Sequence, residues 1–234
     1  TDVVTTCTQM MNSSATVSTL PLPTVYNIAG GGTLCSGSTG FHIGMDGSDI
    51  GTNYQLYNGS APVGAVVPGN GGGVYFGVFT AAGTYSVSAT NSVTGCTDGM
   101  NGSATIIVNP TPVVFTVSGG GGYCFGGPGV DIGLTGSEVN VNYQLYNGSA
   151  EVGLPDAGPG NALDYGLELS AGTYTVSATN TLTTCMSNMA SSTVVVVNPL
   201  PNVYAVTGGG NYCLGGSGSD IQLTGSDVGV NYQP

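Results

Sequence analysis

The six cysteines are the residues of this chain with the most evident chemistry, and their spacing sorts them into two columns. Cys7, Cys96 and Cys185 follow one another at intervals of 89 residues, and so do Cys35, Cys124 and Cys213. Metal binding is a poor use for them, because no Cys-x-x-Cys pair is present and His42 is the only histidine. Disulfides are the expectation instead. Asp49, Glu138 and Asp227 form a second recurring set, each following a Gly-Ser pair. Carboxylates there could contribute to a calcium site, although the dense Asp-x-Asp-x-Asp-Gly loop is absent, and the competing reading is an exposed turn carboxylate. Asp131 and Asp220 align with each other, but the first copy has His42 at that place, which breaks a common metal scheme. His42 itself reads as a surface strand residue. Asp164 and Glu168 could in principle serve as acid and base in glycoside cleavage, but they occur in one copy only, without Trp or any basic residue, and read as solvated loop charge. The run Gly119–Gly122 lacks the Lys and the helix of a phosphate loop and reads as an open turn. No catalytic residue is expected.

The elements that must position these residues are repeated. Asn53-Tyr-Gln-Leu-Tyr-Asn-Gly-Ser-Ala recurs from Asn142, and Ala82-Gly-Thr-Tyr-x-Val-Ser-Ala-Thr-Asn recurs from Ala171, with no insertion or deletion between the copies. Proline pairs at Pro21-Leu-Pro, Pro110-Thr-Pro and Pro199-Leu-Pro mark the hinges. They predict the C-terminal part of one repeat over 1–20, whole repeats over 21–109 and 110–198, and the N-terminal part of another over 199–234. A period near 90 residues is too long for a solenoid turn and suits a sandwich domain that buries its own core. Within the second whole repeat, strands are expected over 113–117, 130–134, 142–146, 163–169, 173–179 and 192–198. Asn147-Gly148 supplies a hairpin signal. The predicted fold is all-β: tandem immunoglobulin-like β-sandwich domains with an 89-residue period. Tyr85 and Tyr174 sit where a tyrosine corner starts the penultimate strand, and Tyr54, Tyr143 and Tyr232 read as core residues. Asn12, Asn58, Asn101 and Asn147 fit the Asn-x-Ser glycosylation pattern but read as turns.

These motifs resemble the immunoglobulin-like and PKD-like repeats of large Bacteroidota surface proteins, gliding-motility adhesins among them. The resemblance rests on Cys124-Phe-Gly-Gly and Cys213-Leu-Gly-Gly, on Ala-Gly-Thr-Tyr-x-Val, on the turn Gly95-Cys96-Thr97 and on the closing Gly102-Ser-Ala-Thr. It spans essentially the whole chain, with Cys35-Ser-Gly a departure in the first repeat. It implies an extracellular stalk or adhesin on a bacterial cell surface and brings no catalytic residues.

Two disulfide connectivities are open. Pairing within a repeat would join Cys35 to Cys96 and Cys124 to Cys185. An immunoglobulin-like strand order would instead put the two cysteines of a repeat at opposite poles. A disulfide tolerates Cα atoms only about 4.4–6.8 Å apart, so that order would bring Cys35 toward Cys185 of the next repeat. A Lys–Asn isopeptide staple is excluded, because the chain has no lysine.

Composition narrows the partners. The chain has 234 residues, with 12 Asp plus Glu and no Lys or Arg, for a formal charge of -12. At an ordinary basic content of about 11%, such an absence would arise roughly once in 10¹² chains, so it is not sampling accident. Phosphate backbones and anionic lipid headgroups need basic side chains, which excludes nucleic acid and direct membrane binding by this stretch. The same absence removes every trypsin site. The expected function is a structural extracellular filament or stalk, partnered by neighbouring repeats or identical chains. The alternative is a module that binds a glycan or protein through loop aromatics, with Tyr75, Phe76 and Tyr165 as candidates.

Overall fold

In a computed structural model the described residues are 3–233, and the chain divides into two compact units, 1–110 and 111–234. No helix is present among the described residues, hence none long and apolar enough to cross a membrane. Of the spans expected as the end of one repeat, 1–20, and the start of another, 199–234, residues 1 and 2 and Pro234 lie outside the described residues.

The first unit is built from β1 (Ile28–Gly30), β2 (Gly32–Cys35), β3 (Phe41–Met45), β4 (Thr52–Asn58), β5 (Ala61–Pro68), β6 (Val74–Phe79), β7 (Gly83–Asn91), β8 (Thr97–Gly99) and β9 (Ala104–Asn109). One sheet runs β1-β3-β6; the other runs β2-β9-β7-β4-β5, with β8 paired to β7. All pairings are antiparallel except β2 with β9. This is an immunoglobulin-like sandwich whose first strand is shared between the sheets. Its core follows from period-two alternation: Tyr85, Val87 and Ala89 point inward from β7 while Thr84 and Ser86 stay exposed. Tyr54, Leu56, Ile43 and Ile106 complete it, each at most 1% exposed.

The second unit repeats the plan with β10 (Val117–Gly119), β11 (Gly121–Cys124), β12 (Val130–Leu134), β13 (Val141–Asn147), β14 (Ala150–Ala157), β15 (Leu163–Glu168), β16 (Gly172–Asn180), β17 (Met186–Asn188) and β18 (Thr193–Asn198). Each strand starts 89 residues after its counterpart, as 28 and 117, 52 and 141, or 104 and 193 show. β19 (Val206–Gly208) and β20 (Ile221–Leu223) pair in the manner of β10 and β12. Ile221, the counterpart of the fully buried Ile43 and Ile132, is 74% exposed there.

The structure departs from the sequence-based strands of the second repeat in four places, one of them the short β17, for which no strand was expected. Residues 113–116 lie outside the strands; their N–H groups instead meet the Glu138 carboxylate, the Met189 sulfur and the Thr135 hydroxyl. The glycine run is not an open turn. Gly119, Gly120 and Gly121 hold φ of 86°, 78° and 123°, and this kink carries the chain from β10 in one sheet to β11 in the other. β14, for which no strand was expected, is an edge strand exposed along nearly its whole length.

The two longest sequence motifs are coupled in space. The Asn58 side chain donates to the Ala82 carbonyl, and its Oδ1 lies 1.9 Å from where a Cβ on Gly83 would stand. Asn147 and Gly172 repeat the arrangement, with Asn147 donating to the Ala171 carbonyl. The Asn that ends the hairpin strand therefore requires the Gly of Ala-Gly-Thr-Tyr.

Candidate functional site

Two features recur at the ends of the repeats: a carboxylate latch and the cysteine pair. The latch explains the Gly-Ser-acid motif residue by residue. Gly47 leaves room for the Tyr26 ring, which a Cβ would meet at 2.3 Å; Gly136 does the same for Phe115 and Gly225 for Tyr204. Ser48, 2% exposed, donates to the Gly72 carbonyl at 2.7 Å and accepts the Asn70 N–H. Ser137 bonds the Asn161 carbonyl and the Gly160 N–H in the same way. The acid then holds the incoming chain. Asp49 accepts the Tyr26 hydroxyl at 2.7 Å and the Thr24 N–H at 2.9 Å, while its own N–H donates to the Tyr54 hydroxyl. Asp227 accepts from Tyr204, the Asn202 N–H and the Asn202 side chain. In the second repeat Phe115 lacks a hydroxyl, and Glu138 takes the Val113 N–H at 2.6 Å. Pro23 and Pro112 of the hinges are buried beside these contacts.

The three acids proposed as calcium candidates thus lie in three separate repeats, each engaged as an acceptor for linker donors. Among the described residues no group of three or more His, Cys, Asp or Glu side chains is arranged to hold a metal ion.

The latch has a defined pH response. The Tyr26 hydroxyl, then the Thr24 N–H, hold Asp49 below its ordinary carboxylate range; the Asn202 side chain and Tyr204 do so for Asp227. A depressed folded-state pKa contributes stability above the unfolded value near 3.8 that is lost as pH falls through the folded value. The amide of Thr24 should therefore stay protected from hydrogen exchange at pH 4 and lose protection only in stronger acid. Asp131 has the opposite sign. Its hydrogen bond with Asp164 raises its pKa, so that contribution is present in acid and lost as pH rises through the raised value. Asp131→Asn should leave thermal stability at pH 7 unchanged or higher, a result checked by scanning calorimetry.

At these same two positions the first repeat has His42 and Tyr75, where His42 Nδ1 lies 2.9 Å from the Tyr75 hydroxyl on the exposed sheet face. Tyr75, Phe76 and Tyr165, offered as loop aromatics, belong to β6 and β15, the latter matching the strand expected over 163–169. Phe76 packs against its core, and the Tyr165 hydroxyl is buried without a hydrogen-bond partner. Tyr85 and Tyr174 donate to the carbonyls of Ala81 and Ser170, four residues upstream, the geometry of a tyrosine corner.

The cysteines of one repeat stand far apart. Cys35 ends β2 in register with Asn109, the last residue of β9, and so marks the exit pole. Cys96 accepts the Asn91 N–H at the far end of β7 and so marks the entry pole. Gly83 pairs with Ile106 in the antiparallel β7–β9 ladder, so Asn109 lies three residues beyond that level and Asn91 eight residues the other way. Eleven residues at about 3.3 Å each separate the poles by ~36 Å, far beyond disulfide reach. Cys124 and Cys185 stand likewise, in register with Asn198 and beside Asn180. Cys35 and Cys185 are disulfide-bonded, whereas Cys7, Cys96, Cys124 and Cys213 are free thiols; neither within-repeat pairing is made. The parallel β2–β9 pairing, which fixes the exit pole, has no signature in the sequence.

No protein-family model matches the chain, and no curated protein sequence matches it significantly. Among solved structures it is similar to the fibronectin(III)-like modules of Clostridium thermocellum CbhA, with 13% identity, 74% of this chain and 95% of that one covered, and a TM-score of 0.36. Murine CEACAM1b gives 11% identity, coverage of 72% and 96%, and a TM-score of 0.36. Three N-terminal domains of the bacteriophage RB49 outer capsid protein Hoc give 13% identity, coverage of 88% and 71%, and a TM-score of 0.32.

Proposed function

We propose that this chain is part of a structural extracellular filament or stalk on a bacterial cell surface, in which immunoglobulin-like repeats supply length and stiffness, as in the adhesins its motifs resemble. The recurring latch carries this reading. Between Asn109, which ends β9, and the buried Pro112 only Pro110 and Thr111 remain, and beyond them the Val113 N–H is held by Glu138. The connection itself is two residues long, and proline fixes the φ of one of them. The edge strands β5 and β14 carry Pro62, Pro68 and Pro155, which discourage lateral sheet addition and favour discrete rods. Disulfide-bonded cysteines accord with an oxidising compartment. Partners on this reading are neighbouring repeats or identical chains.

Cryo-electron microscopy of surface material from the source cells tests the proposal. Continuous fibres with one sandwich per axial repeat are expected. Sandwiches strung as freely jointed beads, or a protein confined to the cell interior, would overturn it.

One observation favours a second reading, a glycan- or protein-binding adhesin module. Leu145, Val152, Leu154, Asp156, Tyr165 and Glu168 line a cleft of about 310 Å³. The first repeat has Val67, Phe76 and Phe79 where the second has Asp156, Tyr165 and Glu168, so the polar groups are particular to one copy. Saturable binding on a glycan array, abolished by Asp156→Ala, would move the assignment to this reading.

A further inference from the structure

Three aligned replacements converge on the cleft of the second repeat. Val67, Phe76 and Phe79 of the first repeat all pack against its core. Their counterparts are Asp156, Tyr165 and Glu168, which line the cleft of about 310 Å³ together with Leu145, Val152 and Leu154. Strand register keeps both acids on the inner side of the sandwich. Asp156 stands opposite the buried Tyr143, and Glu168 opposite Val130, which packs against the second core. Asp156 nevertheless stays open to solvent, so its carboxylate belongs to the cleft mouth.

The acids are poorly satisfied from within. Among the described residues Asp156 accepts no hydrogen bond, and Glu168 has only a 3.4 Å contact from the Tyr174 hydroxyl. The Tyr165 hydroxyl is buried without a partner, and the sequence has no Lys or Arg to neutralise either charge. An inward charge on an edge strand does discourage sheet-to-sheet pairing. That role accounts neither for the unpartnered Tyr165 hydroxyl nor for Leu154, 86% exposed, where the first repeat has Ala65.

We infer that this cleft takes a protonated primary amine on an alkyl stem, the ammonium between Asp156 and Glu168 and the methylenes along Leu145, Val152, Leu154 and the Tyr165 ring. An ammonium is a compact charge with three donors, suited to two carboxylates, and its stem buries readily on apolar surface. A metal ion fits less well. The described residues hold no group of three acidic, His or Cys side chains arranged for one, and apolar walls add no oxygen ligands. A lysine side chain of a partner protein and a free alkylamine share the required chemistry. Amine recognition here rests on the second reading, the chain as a binding module, and can fail while that reading stands.

The test titrates the isotope-labelled full chain with butylammonium chloride and, separately, with Nα-acetyl-lysine methylamide at about 0.15 M salt, following amide shifts by NMR. Saturable shifts are expected at Gly153, Leu154, Asp156, Tyr165 and Glu168, and none at the aligned residues 64–67 and 76–79 of the first repeat. Asp156→Val and Glu168→Phe install the first repeat's own residues, so the fold should tolerate them, which the amide spectrum checks. Each should weaken binding by about tenfold or more. Asp98→Ser, an equal loss of charge in the first repeat, should leave binding unchanged. Tighter binding of the lysine derivative would support a partner's side chain as the source, and equal binding a free amine. Shifts spread over the acids of both repeats, or binding that survives Asp156→Val and Glu168→Phe together, would overturn the assignment. A neutral glycan that binds saturably and is lost with Asp156→Ala, beside no response to either amine, would overturn amine recognition and leave the binding-module reading standing. A cleft silent to amines and glycans alike would remove both.

Discussion

Gly119→Ala should destabilise the second repeat by about 3 kcal/mol. Left-handed backbone costs an L-residue roughly 1–2 kcal/mol, and overpacking a tight site about 1–3 kcal/mol more. Gly119 holds φ at 86°, and a Cβ there would stand 2.1 Å from the carbonyl oxygen of Asp131 and 3.2 Å from the Cα of Ile132. Both are backbone atoms of β12, whose register with β10 pairs Gly119 with Ile132, a residue with no exposed surface. Nothing at this crossing can turn aside as a flexible side chain would. Gly30 and Gly208 face the carbonyls of His42 and Asp220 at 2.0 and 2.1 Å, so the crossing is the same wherever the repeat begins. For a domain of this size the midpoint of thermal unfolding should fall by roughly 10–20 °C. Gly126→Ala is the control, because Gly126 has φ of 81° but open space where its Cβ would go. It should cost only the backbone part, about 1–2 kcal/mol. Equal losses at the two sites by calorimetry would show that close approach to β12 does not matter.

What could be read from the sequence follows the same physics. Strands buried on one face announce themselves by alternation: the stretch 130–134 was expected where β12 lies, and 142–146 and 173–179 fall inside β13 and β16. β14 gave no such signal because it is an edge strand with little buried on either face, interrupted by Gly153 and Pro155. β11 was hidden by glycines that read as turn residues until their positive φ values are seen to move the chain between sheets. The Gly-Ser-acid motif was visible, but its purpose was not. The partners of Asp49 are Tyr26 and Thr24, more than twenty residues upstream, and only the folded entry pole brings them together. The cysteine poles likewise needed the parallel β2–β9 ladder, since spacing alone left two connectivities open.

Two tyrosines of the second repeat should answer substitution with opposite signs. Tyr174 is fully buried, and its hydroxyl donates to the Ser170 carbonyl at 2.8 Å. Tyr174→Ala removes a ring from a packed core and should cost about 3–5 kcal/mol, while Tyr174→Phe, which loses the corner hydrogen bond and the longer 3.4 Å contact with the Glu168 carboxylate, should cost about 1–2 kcal/mol. Tyr165 has no such return. Its hydroxyl is buried without a partner, and burial, reinforced by the Asp156 charge, pushes its pKa far above the ordinary phenol value. An unsatisfied buried hydroxyl is a penalty that a phenyl ring avoids, and the first repeat already has Phe76 at the aligned position. Tyr165→Phe should therefore stabilise the unit by about 1 kcal/mol. Urea midpoints at unchanged slope would read both effects. If Tyr165→Phe instead costs more than about 0.5 kcal/mol, an ordered water must satisfy the hydroxyl. A gain would mean that the second repeat keeps Tyr165 at the expense of stability. The cleft that Tyr165 shares with Asp156 and Glu168 would then be the place to look for what it does.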